Sequence, residues 1–151
     1  MTKLEKIENK KIVALVNNLI KERITKTWLK DILLGKRFQA SHFFGDCSEA
    51  EFFDICIWDN LSNEQQNKAI ESLNLLIEED LFADKAYEGN YCFYLLELAI
   101  SLEQYLPGKI NTKPFLIWKE KNYPNLSQPI DHNHYVIKNL DQKIERFKGS
   151  Q

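Results

Sequence analysis

The chain predicts an all-α fold: one domain spanning its 151 residues, a bundle or small stack of about six or seven helices. Three observations carry this. Apolar residues recur at i, i+3, i+4 and i+7, the period of a helix with one face in a core. Three Ser/Thr-x-x-Glu/Gln patterns, at Thr2–Glu5, Ser48–Glu51 and Ser62–Gln65, mark helix starts. Period-2 alternation is weak, and five glycines and four prolines leave little room for a turn-rich β-architecture.

Taken in order, the Thr2–Glu5 box opens a helix near Lys3 whose inward stripe is Ile12, Leu15, Val16 and Leu19. A shorter helix carries Trp28, Leu29, Ile32 and Leu33, with Thr27 as its cap and Gly35 weakening its end. The segment around Ser41, His42 and Gly45 reads as a connection. Ser48 caps a helix over 48–60, and Ser62 caps the clearest helix, over 62–83. There Ala69, Ile70, Leu73, Leu76, Ile77 and Leu81 share one face. Glu64, Glu71 and Glu78 share the opposite face, with Asn67 and Asn74 between them. After Gly89-Asn90 the run YCFYLLELAISLEQYL is apolar nearly all round. Its narrow polar stripe is Glu97, Ser101 and Gln104, and it is expected to be the most buried helix. Pro107-Gly108 ends it. Phe115–Trp118 is readable as a short helix or a brief strand. Pro124 and Pro129 bracket a loop, and a last helix from Tyr135 carries Ile137, Leu140, Ile144 and Phe147.

The net charge of −2 conceals a segregation. Residues 1–45 hold 10 Lys/Arg against 4 Asp/Glu, residues 46–103 hold 2 against 14, and residues 104–151 hold 8 against 4. An acidic central segment of −12 is therefore flanked by basic ends of +6 and +4. Cys47, Cys56 and Cys92 are odd in number and show no C-x-x-C pairing, which fits a reducing compartment rather than a disulfide framework. MTKLEKIENKK lacks the apolar stretch of a signal peptide. No run approaches the roughly 18 residues of a membrane span, so a cytoplasmic location is expected.

The stretch GDCSEAEFFDICIWDN, residues 45–60, places five carboxylates among large apolar groups with no lysine or arginine. On an α-helix, Phe52, Phe53, Cys56 and Ile57 fall on one side. Glu51, Asp54 and Trp58 fall on the other, so the sequence predicts an exposed tryptophan flanked by acids. Exposed Trp is a favoured interface anchor and acids steer a basic partner. With Asp59, the Glu64/Glu71/Glu78 stripe, and Glu79, Asp80 and Asp84, these residues form the candidate partner-binding set. A solvated helix face ordinarily mixes signs to gain i, i+4 pairs, and these faces do so little.

Other chemistries find less support. There is no EF-hand loop, no Glu-x-x-His pair, no G-x-S-x-G, no phosphate-binding glycine loop and no H-E-x-x-H. No cofactor or metal is implied. Asp131-His132-Asn133-His134 is the one cluster suited to an enzyme, yet His at i and i+2 do not share a helix face. A sequence pI near 5.9 lies far below the value above about 9 typical of basic nucleic-acid modules. The expected function is thus non-enzymatic: an intracellular domain whose acidic helices meet a basic protein. The alternatives are an enzyme built on the Asp131–His134 loop, and self-assembly of basic ends on the acidic middle. In size, acidity and helicity the chain resembles helical immunity proteins, which neutralise nuclease toxins by setting acidic and aromatic side chains against a basic cleft. The resemblance rests on no shared motif, and it implies a toxin domain as the partner.

Overall fold

The structure, a computed structural model, describes residues 10–83 and 91–122. Among them are six helices and no strand: α1 Lys10–Ile20, α2 Lys26–Leu33, α3 Glu49–Phe52, α4 Asn63–Asp80, α5 Tyr91–Tyr105 and α6 Lys113–Asn122. The fold is all-α, as the apolar periodicity predicts. No helix among these residues is long and apolar enough to cross a membrane. The Thr2–Glu5 box, Asp84, Gly89-Asn90, Asp131–His134 and the helix expected from Tyr135 lie outside the described residues.

The chain divides into two compact units, Met1–Leu73 and Asn74–Gln151, and the dividing line falls inside α4. In the first unit α1 buries Ile12, Val16 and Leu19. A helix leaves its last carbonyls without intrahelical partners, and side chains supply them here. The Trp28 indole N–H donates to the Leu19 carbonyl at 3.2 Å, and the Gln65 side-chain amide donates to the Ile20 carbonyl at 2.8 Å. α2 is capped by Thr25, not by Thr27 as expected. Thr25 has the extended backbone of a cap, and its hydroxyl accepts the Trp28 N–H at 3.2 Å, whereas Thr27 lies within the first turn.

Gly35 ends α2 in the left-handed region, φ +75°. Its N–H donates to the Ile32 carbonyl and that of Lys36 to the Asp31 carbonyl, the paired bonds of a Schellman motif. Arg37 then forms a two-pronged ion pair with Glu22, which holds the Glu22 carboxyl below its ordinary value. Phe38, Phe43 and Phe44 gather round the buried Phe52 ring, with centroids 4.5, 5.6 and 6.0 Å away. Trp28 meets Phe53 edge-on at 5.9 Å.

In the second unit α5 is the most buried helix, as its near-continuous apolar run requires. The expected polar stripe is corrected at one position: Glu97 is only 7% exposed, whereas Gln104 is exposed and Ser101 half-buried. A helix that is apolar nearly all round is covered over most of its surface, so the acids within it, Glu97 and Glu103, are enclosed too. Pro107-Gly108 stops the helix. Gly108 has φ +83°, and Lys109 N–H bonds back to the Leu106 carbonyl at 3.3 Å, closing a type II turn. The Glu103 carboxylate accepts the Gly108 N–H at 2.8 Å.

Residues 113–122 form the helix α6 rather than the alternative strand. Pro114 sits in its first turn, where a missing N–H costs no bond. Phe115 and Trp118 face inward, and Trp118 meets Phe93 edge-on at 5.4 Å. Asn74 ties the preceding loop, donating to the Lys109 carbonyl at 3.0 Å and accepting the Asn111 N–H at 2.8 Å.

Candidate functional site

The acidic segment begins as its sequence directs. The Ser48 hydroxyl accepts the Glu51 N–H at 3.0 Å and starts α3. Glu49, in the first turn, turns its carboxylate to accept the Ala40 N–H at 2.9 Å, at the start of a short 3-10 turn over Ala40–His42. Burial pushes the Glu49 carboxyl above its ordinary value, and the Ala40 N–H opposes that.

α3 does not continue as a plain α-helix. Residues Phe53–Ile57 form a π-helical turn, in which Trp58 N–H bonds to the Phe53 carbonyl, and Trp58–Asn60 close as a 3-10 turn. This changes which residues face out. An i→i+5 bond fits one more residue into the turn than i→i+4, so the side chains beyond it lag the α period by about one position, roughly 100°. Phe52, Phe53, Cys56 and Ile57 stay buried, as expected. Trp58 is carried inward and is 3% exposed, which corrects the expectation of an exposed anchor. Its carbonyl accepts the Gln66 amide at 3.1 Å, and the Cys56 carbonyl accepts the Asn60 amide at 2.9 Å. Carbonyls loosened by the irregular turns are therefore satisfied by side chains. Glu51 and Asp54 are half-buried, and Asp59 is exposed.

α4 carries the stripe. The Ser62–Gln65 box is fully reciprocal. Ser62 N–H donates to the Gln65 side-chain oxygen at 2.9 Å, and Gln65 N–H donates to the Ser62 hydroxyl at 3.2 Å. With its start fixed and its period regular, α4 buries Ala69, Ile70, Leu73, Leu76, Ile77 and Leu81 along one side. Glu64, Glu71 and Glu78 are all exposed on the other, and Glu79 is exposed beside them. Lys68 pairs with Glu71 at 3.5 Å, an open surface pair of the kind that contributes about 0–1 kcal/mol.

Asp80 is corrected in the same way as Trp58. It is 8% exposed, because its position falls on the inward side of α4, and its carboxylate accepts the Tyr91 hydroxyl at 2.6 Å. Burial and the Asp80 charge push the Cys92 thiol up to about 11, so it stays protonated and poorly nucleophilic.

The exposed candidate residues are thus Asp59, Glu64, Glu71, Glu78 and Glu79, with Glu51 and Asp54 half-covered. The site also contains residues that the acidic pattern did not single out. Leu75 is 46% exposed between Glu71 and Glu78, and Phe82 is 38% exposed just beyond the helix. The helical period that turns Glu71 and Glu78 outward turns Leu75 outward as well, so the signal was present in the spacing. Among the described residues no group of His, Cys, Asp and Glu is placed to hold a metal ion. Along α4 the exposed carboxylates Glu71, Glu78 and Glu79 flank the exposed apolar Leu75. Comparison with known proteins finds no matching family model, and no match among curated proteins or solved structures.

Proposed function

We propose that this protein binds a basic protein partner through the outward face of α4, with Glu64, Glu71 and Glu78 as the charged contacts and Asp59 and Glu79 at the edge. The observation that carries this reading is the exposed glutamate stripe, one acid every seven residues, opposite a mainly apolar buried side. The −12 balance of residues 46–103 supports it, because a field of one sign raises the encounter rate with an oppositely charged surface. Leu75 replaces Trp58 as the apolar group at the centre of the face. The partner class we put forward is a nuclease-type toxin domain, whose phosphate-binding cleft is basic. This follows the resemblance in size, acidity and helicity to helical immunity proteins.

The test compares wild type with Glu64→Gln/Glu71→Gln/Glu78→Gln as bait in host lysate at low salt. A basic protein retained by wild type, released by salt and lost by the triple variant is the expected result. Replacing a glutamate that loses water on binding should cost about 2–5 kcal/mol, and replacing one left at the rim almost nothing. Equal retention by both baits at every salt concentration would show that the partner sits elsewhere.

A further inference from the structure

The residues joining α2 to α3 are held differently from the helices on either side. Gly35, in the left-handed region, and Gly45, where an added side chain would meet nothing within 4 Å, bracket residues 36–44. Glycine turns through φ and ψ at little cost, so both ends of this span can pivot. Within it the His42 N–H donates to the Gln39 carbonyl, and those of Phe43 and Phe44 donate to the Ala40 carbonyl, each at 3.0 Å. These bonds close on the span itself and do not anchor it to its surroundings. Of its residues Ala40 alone is buried.

Side chains hold the span down. Arg37 and Glu22 form an open surface pair. The half-buried rings of Phe38, Phe43 and Phe44 cover the enclosed Phe52. Glu49 reaches across from α3 and meets the span twice. Its Oε2 accepts the Ala40 N–H, and its Oε1 lies 3.6 Å from where a side chain on Gly35 would begin. One carboxylate therefore sits over both the middle of the span and its first pivot.

We infer that residues 36–44 form a strap over Phe52, fastened by Glu49, that swings open between Gly35 and Gly45 while the helices stay folded. Opening parts the Ala40 N–H from Glu49 and the Cys47 N–H from the Phe44 carbonyl, and brings the Phe52 ring into water. The three rings above Phe52 are already half in water, so opening releases less apolar surface than lifting a buried helix would. Segments joined by so few bonds open well below the cost of global unfolding. The strap requires nothing of the α4 glutamates and no foreign protein.

Native-state hydrogen exchange of the full chain, read amide by amide, tests this. The Ala40 and Cys47 amides should show equal protection, about 100-fold weaker than that of the slowest amides of α2. Arg37→Ala touches neither bond and lies on the surface, yet it should speed both amides by the same factor, about threefold. Glu49→Ala should speed Cys47 about tenfold, although Cys47 makes no bond to Glu49. Glu49→Gln keeps an acceptor for Ala40 and should leave Cys47 near its wild-type rate. Unequal protection of the two amides overturns the inference, as does an Arg37→Ala variant that speeds one and not the other. Protection of both equal to that of the slowest α2 amides overturns it as well, because the span would then open only when the protein unfolds.

Discussion

Single side chains here do work that their residue type alone does not announce. Glu49 was one acid among five in a run that suggested a charged surface, yet its carboxylate closes onto the Ala40 N–H and is partly withdrawn from water. A carboxyl raised by burial holds its proton more tightly in the folded state. The stability this lends is complete below the ordinary value near 4.5 and is lost as pH rises from there through the folded value. Glu49→Gln keeps an acceptor for Ala40 and has no proton to lose. Its denaturation midpoint, measured against wild type from about pH 4 to about pH 7, should therefore gain on wild type as pH rises. A constant offset across that range would mean that burial of Glu49 has no energetic consequence. Trp58 and Asp80 teach the same point in the other direction. Both belong to the acidic and aromatic pattern of the sequence, and both are drawn into the interior.

Elements obeyed their local signals where period and cap agreed. α4 was legible because a complete capping box precedes an unbroken 3.6-residue pattern, and α5 because its run is apolar on every side and ends in Pro-Gly. The segment after α3 was not legible, because an i→i+5 turn leaves no mark in the residue types and shifts every later side chain by about one position. α6 stayed ambiguous on apolar content alone, and Pro114 in its first turn was the overlooked cue. Gln65 links two elements at once: its side-chain oxygen completes the α4 box, and its nitrogen caps the Ile20 carbonyl 45 positions earlier in sequence. Gln65→Ala should cost about 1–2 kcal/mol in urea denaturation. Gln65→Glu keeps the box, and a negative charge there suits the helix dipole, but it sets a carboxylate oxygen against a carbonyl. It should be no more stable than the alanine variant. Wild-type stability in the glutamate variant would show that the link to α1 contributes nothing.

For the molecule as a whole, the sequence conveyed the helical class and the acidic middle, but not the division into two units within a helix. That division has an energetic consequence. The first unit holds residues 63–73 of α4 and the second holds 74–80, shares of 11 and 7 residues. Helices shorter than about 12–15 residues are marginal in water, so neither share is expected to persist once the other unit has unfolded. The two units should open as one cooperative block. In native-state hydrogen exchange, the slowest amides of α2 and of α5 should report opening free energies that agree within about 0.5 kcal/mol. Two separate plateaus would mean that α4 transmits no coupling between them. The candidate site follows the same pattern of legibility: the outward glutamates, and Leu75 with them, follow from helical spacing, whereas the inward turn of Trp58 did not.

The π-helical turn over Phe53–Ile57 also means that the chain is one residue longer there than its path requires. A surplus residue held inside a helix is spare length, much like slack in a belt. Removing the half-buried Ile55 would let the turn relax to ordinary α geometry, with Trp58 and everything after it left facing as before. The shortened protein should fold with the blue-shifted fluorescence of an enclosed tryptophan. Removing a residue from the middle of α4 has no such slack to draw on, and would turn its glutamates toward the core.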